Sequence, residues 1–424
     1  MLKRDIGFFS ATAIGVGAII GAGIFVVTGV AASLAGPAII ISMIITGVIA
    51  AFTALSFSEL SANLPQEGGA YIFARELISP YVGFIAGWMW IFSNIFTGAA
   101  VSLGFAHYFV TVFQQIPVKA VAVTISAVFI LLNYFGVRHS TTLNNIFVLV
   151  KIAILLFFVA IGVGYLNSSH FTPFAPNGFS GVLEGSSLIF FAYSGFARIA
   201  IMAEEVRDPR HTIPRSMIFS LGMSTIIYLI VSFVAIGLVG YVDLSRTGSP
   251  LAEAIQVTGS RYAVFLISVG AMVATASVLL TTILGVSRVA FAMARENDLP
   301  GFLSKIHPKY GTPHHAILIS GALMIVATTF ADLTQVVVIS NFASLLYYST
   351  ANMAALRLKG KTRRYPTFVP VVGLLSCLGL LVFLKIDAWI VGVISLGLGT
   401  VYYRTYKHFH GTPTRLGYRG QADR

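Results

Sequence analysis

Gly15-Val16-Gly17-Ala18-Ile19-Ile20-Gly21-Ala22-Gly23-Ile24-Phe25 lies inside an apolar stretch, residues 8–31, that is long enough to cross a bilayer. Its glycines weaken a helix at the middle, where lipid gives unpaired backbone groups no partner. Unwound backbone persists at that depth only when it is buried in protein or lines a cavity. A second stretch of the same kind occurs about 170 residues later, Phe190-Phe191-Ala192-Tyr193-Ser194-Gly195-Phe196-Ala197-Arg198. Two interruptions at matching places in two halves of a chain mark the substrate site of a secondary transporter.

The bulk composition supports a membrane reading. The chain has 424 residues, of which 57% are hydrophobic and only 10% charged, and its mean hydropathy is +0.87. Soluble domains carry about 25% charged residues, and one spanning helix takes about 20 apolar residues. Twelve stretches qualify, at residues 8–31, 36–63, 82–113, 118–136, 143–166, 182–205, 216–241, 261–294, 314–331, 333–356, 367–384 and 387–403. The first is too long and too rich in glycine for a cleaved leader. The expected fold is an all-α membrane protein of twelve transmembrane helices, with helices 1 and 6 broken.

The net charge of +12 does not call for a nucleic-acid partner. With the N-terminus cytoplasmic and the spans alternating, 20 of the 27 Lys and Arg residues fall inside. Four fall outside (Lys119, Arg246, Arg261 and Lys385) and three within spans (Lys151, Arg198 and Arg288). This is the positive-inside pattern, and it places both termini in the cytoplasm of a multi-pass plasma-membrane protein. The basic run Arg357-Leu358-Lys359-Gly360-Lys361-Thr362-Arg363-Arg364 serves topology first, with contact to anionic membrane lipids as a second reading. Cys377 is the one cysteine, so no intrachain disulfide is possible. No histidine set has metal-ligand spacing, no cofactor is expected, and no Walker loop points to an ATP-driven pump.

Loops of two kinds alternate. Asn167–Gly181 is an uncharged external loop, and Asp243–Arg261 a longer one in which Pro250-Leu251-Ala252-Glu253-Ala254 is expected as a short surface helix. Pro65–Glu76, Glu204–Arg215 and Glu296–Lys309 are expected as short charged cytoplasmic loops. Five spans precede each return of the pattern, and an odd number per half turns the halves over relative to each other. The chain thus divides into a first five-helix repeat at 1–166, a second, inverted repeat at 167–358, and helices 11 and 12 with a basic tail at 359–424.

At the first break, Gly21, Ala22 and Gly23 expose backbone without bulk. The N–H groups opening the next half-helix suit a carboxylate, and the carbonyls near Ile19 and Ile20 suit an ammonium. The alternative is that these glycines only let helices pack closely, and Gly17 and Gly21 fit that spacing. Lys151 stands near mid-membrane, at a cost of about 3 kcal/mol on insertion scales. It is either functional or a lysine whose stem reaches the interface near Asn144 and Asn145. Arg198 can face a substrate carboxylate or pair with Glu204 or Glu205, and Arg288 is expected to brace the cytoplasmic half. Asn94 and Asn341 are candidates for substrate contact or helix bridging. No Asp or Glu lies mid-span, which favours neutral over cationic cargo and leaves an acidic one open if Arg198 faces the site.

An ordered set of motifs carries a family resemblance. Gly21-Ala22-Gly23-Ile24-Phe25, Pro65-Gln66-Glu67-Gly68-Gly69-Ala70-Tyr71, Gly87-Trp88, Phe191-Ala192-Tyr193-Ser194-Gly195-Phe196, Glu204-Glu205-Val206-Arg207-Asp208-Pro209 with Ile213-Pro214-Arg215, and Arg288-Val289-Ala290-Phe291-Ala292-Met293-Ala294-Arg295 follow one another over spans one to eight. Together they resemble the amino acid–polyamine–organocation transporter superfamily. The resemblance implies a leucine-transporter-like 5+5 inverted repeat with two extra helices and secondary transport of amino acids. It assigns the substrate carboxylate to the N–H groups of Ala22 and Gly23, within a Gly21–Ile24 segment, and the ammonium to carbonyls of Ile19, Phe191 and Ser194 beside Gly195. Phe191 would be the gate over the substrate. Lys151 takes the position of the fifth-span lysine of proton-coupled members, with Ser277 and Thr281 as neighbours. Proton-driven symport of neutral amino acids is the expected function. An exchanger and a non-transporting sensor are the alternatives, and an integral membrane enzyme is not expected.

Overall fold

The computed structural model describes residues 6–66, 68–136, 141–201 and 206–410. Sixteen α-helices dominate these residues. They are α1 (Phe8–Ile19), α2 (Thr28–Ala35), α3 (Ile39–Asn63), α4 (Ala70–Leu77), α5 (Pro80–Val112), α6 (Val118–Tyr134), α7 (Thr141–Gly162), α8 (Gly178–Tyr193), α9 (Arg198–Ile201), α10 (Pro209–Ser245), α11 (Pro250–Gln256), α12 (Arg261–Arg295), α13 (His314–Phe330), α14 (Leu333–Ala355), α15 (Phe368–Val382) and α16 (Ile386–His410). Helices fall in each of the twelve apolar stretches. Six helical stretches, 8–63, 80–112, 144–165, 209–245, 261–295 and 386–409, are long and apolar enough to cross a membrane. Three shorter apolar helices accompany them.

Local chemistry sets the helix ends. The Ser79 side chain accepts the Val82 N–H, with Pro80 opening α5. Ser260 accepts the Ala263 N–H at the start of α12, and Asp332 with Gln335 forms a capping box on α14. These side chains satisfy N–H groups that a helix start leaves without partners. Packing then centres on α5, which lies against α12 and α14, while α10 lies against α3 and α1. Hydroxyls and amides join helices across the core, as in the Ser93–Ser340–Ser344 cluster and the Ser42 bond to the Val182 carbonyl. Such cross-helix polar contacts hold membrane bundles together where lipid removes the hydrophobic drive between helices.

Three expected loops differ. Pro65–Glu76 contains α4, because Ala70, Tyr71, Phe73 and Ala74 form one apolar face that is buried. The Glu204–Arg215 stretch gives way to α10 at Pro209, a residue suited to the first helical turn. Residues 250–256 are helical, but α11 is not a surface helix: Pro250, Leu251, Ala252, Ala254 and Ile255 are all buried. Glu67, Glu204 and Glu205 lie outside the described residues.

Candidate substrate site

Both interruptions appear at the expected residues and take different forms. After α1 the chain leaves helical geometry at Ile20, with φ −74° and ψ 88°. It resumes as a π-helical turn over Gly23–Val27 before α2. After α8 a 3₁₀ segment, Ser194–Ala197, leads into α9. The two breaks touch backbone to backbone. A methyl built on Gly195 would lie 2.4 Å from both C and O of Ala18, and one on Gly23 would lie 2.4 Å from Ala192 Cβ. A methyl on Gly21 would meet Val278 Cγ2 at 2.4 Å. These glycines thus sit at close contacts between segments, and the same closeness brings the backbone ends of the two breaks together.

The carbonyls at the breaks have partners. Tyr228 Oη donates to Ile19 O at 2.6 Å and to Ala192 O at 3.3 Å. Ser194 Oγ donates to Phe191 O at 2.9 Å, and Tyr348 Oη donates to Ser194 O. Lys151, 1% exposed, donates from Nζ to Gly17 O at 2.8 Å. A cation at the C-terminal end of α1 meets the negative end of that helix's dipole. Lys151 is thus a buried group set against the break rather than a lysine reaching for the interface.

A cavity of about 50 Å³ lies between the breaks. Ile19, Gly21, Ala22, Gly23, Phe191, Ser194, Gly195 and Arg198 line it. Trp90, Ser93, Asn94 and Thr97 of α5 and Ser344, Tyr347 and Tyr348 of α14 complete most of the wall. Arg198 is the one charged lining side chain among the described residues. Its guanidinium donates to Thr281 Oγ1 and, at 2.8 Å, to Thr282 Oγ1 of α12.

Other expected residues stand elsewhere. Ile24 lies buried in the π-helical turn outside the cavity wall, its carbonyl taken by Thr28 Oγ1 at 2.8 Å. Ser277 bonds within its own helix, to Ala274 O at 2.8 Å. Thr281 is engaged by Arg198 rather than by Lys151. Asn341 bridges helices by donating to Ser187 O at 2.9 Å and Leu188 O at 3.0 Å. Asn94 reaches the wall while its amide bonds Trp90 O at 2.8 Å. Arg288, expected as a structural brace, is exposed on α12. Sequence reasoning missed Tyr228 and Tyr348. Their signal was a phenol inside an apolar run, since a buried hydroxyl needs a partner.

The chain is similar throughout to known transporters. A family model described as amino acid permease matches residues 6–403. The chain belongs to the amino acid permease family. It is 35% identical over 407 residues to an uncharacterized transporter of Mycobacterium tuberculosis, covering 95% of this chain and 91% of the relative. A branched-chain amino acid permease of Bacillus subtilis is 31% identical over 437 residues (96% and 94% covered). A methylthioribose transporter of the same organism is 33% identical over 437 residues, with the same coverage. This permease is accordingly a multi-pass membrane transporter and not an enzyme.

Beyond the cavity, α4 ties the permease's wall to a buried ion cluster. Tyr347 Oη accepts the Ala70 N–H at 3.0 Å, and the next residue, Tyr71, donates to Asp298 Oδ2 at 2.8 Å. Arg75 reaches Asp298 at 2.5 Å and Glu296 at 3.1 Å, and Lys407 of α16 reaches Asp298 at 2.9 Å. Burial and the Asp298 carboxylate push the Tyr71 hydroxyl pKa up. Burial opposes the Arg75 charge, but Tyr71, Asp298 and Glu296 outweigh it and raise its pKa.

Proposed function

We propose that this permease imports neutral amino acids together with protons, by alternating access around the two broken helices. The carrying observation is the cavity between the breaks, which offers backbone groups of both polarities and has no carboxylate in its described wall. A zwitterion matches the two ends of broken helices: N–H groups of Ala22 and Gly23 for its carboxylate, and carbonyls of Ile19, Phe191 and Ser194 for its ammonium. Each carbonyl keeps a second lone pair beside its present partner. Arg198, the one charged side chain of the described wall, makes a cationic cargo unfavourable. Phe191, 7% exposed at the wall, is suited to close over the ligand.

A cavity of about 50 Å³ lies well below the roughly 300–1,000 Å³ of ordinary small-molecule pockets. So small a space favours a small cargo, and glycine or alanine needs the least side-chain movement. We place the carrier in the plasma membrane with twelve spans and both termini cytoplasmic, the first two five-helix units forming an inverted repeat at 1–166 and 167–358. Helices 11 and 12 follow at 359–424.

Lys151 is the proposed proton carrier, because its ammonium sits on the end of the broken helix through Gly17 O. The same contact favours one second reading, an exchanger in which Lys151 stays charged. Uptake of labelled amino acids into proteoliposomes, with and without an inside-alkaline gradient, separates them. Stimulation by the gradient, lost in Lys151→Ala while exchange survives, supports symport. Uptake only into amino-acid-loaded vesicles refutes it in favour of exchange. Binding without uptake in either condition refutes transport.

A further inference from the structure

A second cavity, of about 480 Å³, opens where the end of α3, the start of α10 and the α14–α15 linker meet, away from the substrate site. That volume falls within the range of about 300–1,000 Å³ in which small-molecule sites occur. Its wall carries two opposite chemistries. Arg210, Arg363 and Arg364 bring three guanidinium groups, and the first turn of the long helix α10 adds the positive end of a dipole. Against them stands Glu59, only 1% exposed.

None of these groups cancels another. Glu59 Oε1 accepts the backbone N–H groups of Arg364 and, at 3.2 Å, Tyr365. Its Oε2 is buried with no hydrogen-bond partner. No ion pair joins Glu59 to any of the three arginines among the described residues. Arg364 instead donates to Arg210 O at 2.8 Å. Arg363 donates to Thr367 Oγ1 at 2.7 Å and Ala355 O at 3.2 Å, while its Nε is buried and unpartnered. A buried carboxylate oxygen without a donor is costly, and a guanidinium fork suits phosphate or carboxylate oxygens.

We propose that this cavity binds a zwitterion whose primary ammonium meets Glu59 Oε2 and whose anionic group meets the arginines. A simple anion would satisfy the arginines and leave Glu59 Oε2 bare, and a simple cation would do the reverse. Two sources share the chemistry. One is the phosphoethanolamine headgroup of a membrane lipid. The other is a free amino acid acting at a second site.

The test uses the full-length permease in detergent, with thermal unfolding read against added short-chain phosphatidylethanolamine, phosphatidylglycerol, or free alanine. Glu59→Gln retains an oxygen for the Arg364 and Tyr365 N–H groups while removing the charge. Wild-type protein should be stabilised by phosphatidylethanolamine at concentrations at least tenfold below those needed for phosphatidylglycerol. Glu59→Gln should abolish that preference, and Arg363→Gln should weaken both lipids. Stabilisation by alanine that depends on Glu59 and is competed by phosphatidylethanolamine would assign the free amino acid as a ligand of the same site. Equal responses of wild type and Glu59→Gln to both lipids and to alanine would overturn the proposal. If Glu59→Gln does not fold, Arg364→Gln at the exposed mouth carries the test: unchanged affinity for phosphatidylethanolamine in that variant overturns it. Binding in detergent is independent of transport, so its failure leaves the symport reading untouched.

Discussion

Gly195→Ala is the smallest change that tests whether the two breaks form one unit. The added methyl carbon would lie 2.4 Å from C and O of Ala18 and 2.7 Å from Ile19 N. Ordinary contact lies near 3.4–4 Å, so the two segments must part by about 1 Å. The obstacle is backbone, which cannot rotate aside as the end of a side chain can. Overpacking of this kind costs about 1–3 kcal/mol. The separation also stretches the Tyr228 bridge, which holds Ile19 O and Ala192 O on opposite sides of the crossing. Substrate affinity should fall about 5- to 150-fold, since about 1.4 kcal/mol corresponds to a factor of ten. The assay is equilibrium binding of a labelled amino acid to purified permease, with thermal unfolding on the same samples. Gly222→Ala on α10 is the control: nothing lies within 4 Å of its added methyl, and the helix should be unchanged or up to about 1 kcal/mol more stable. Wild-type affinity and melting temperature in Gly195→Ala would refute the backbone-contact account.

Tyr228→Phe removes the one hydroxyl proton shared between Ile19 O and Ala192 O and should lower unfolding stability by about 1–3 kcal/mol, measured by denaturant titration in detergent; no loss would mean those carbonyls find other donors at no cost. Asp298→Asn leaves Arg75 and Lys407 without their buried carboxylate and should cost about 3–5 kcal/mol. Lys407→Met, which spares the Arg75 and Tyr71 contacts, should cost clearly less, and the reverse order in chemical unfolding would contradict the cluster's geometry. The raised Arg75 and Tyr71 pKa values keep Arg75 charged and Tyr71 neutral as pH rises. Their stabilisation is full below the unfolded-state values and is lost progressively as pH rises from those values to the raised ones. Melting temperatures should therefore show no loss from these two groups between about pH 7 and pH 9, and a drop there that Tyr71→Phe removes would overturn this sign.

The breaks were legible because glycine and serine inside apolar runs contradict the rule that lipid-buried backbone stays helical. The neighbours of each break were not. Tyr228 lies about 200 residues from Ile19 in the chain, and Thr282 lies 84 from Arg198; no periodicity within one helix reveals which face meets which partner. Ser277 illustrates the limit: the family resemblance implies Lys151 as its neighbour, but its hydroxyl turns back to Ala274 O of its own helix, as serine commonly does. α4 was hidden for another reason. Its charges made it resemble a loop, although Tyr71 and Phe73 lie on a face that packs inward.

The hydroxyl partners at the breaks bear on how the carrier returns empty. A carrier that moves cargo in one net direction must reorient without it. In the proposed cycle the carbonyls assigned to the ammonium are then shut inside the protein. A bare buried carbonyl costs about 1–3 kcal/mol, and three together would stall the return. Tyr228, Ser194 and Tyr348 donate to Ile19 O, Phe191 O and Ser194 O from within the protein itself. On the proposed import cycle these carbonyls therefore have protein donors of their own, and net uptake need not wait for a second amino acid to carry the site back.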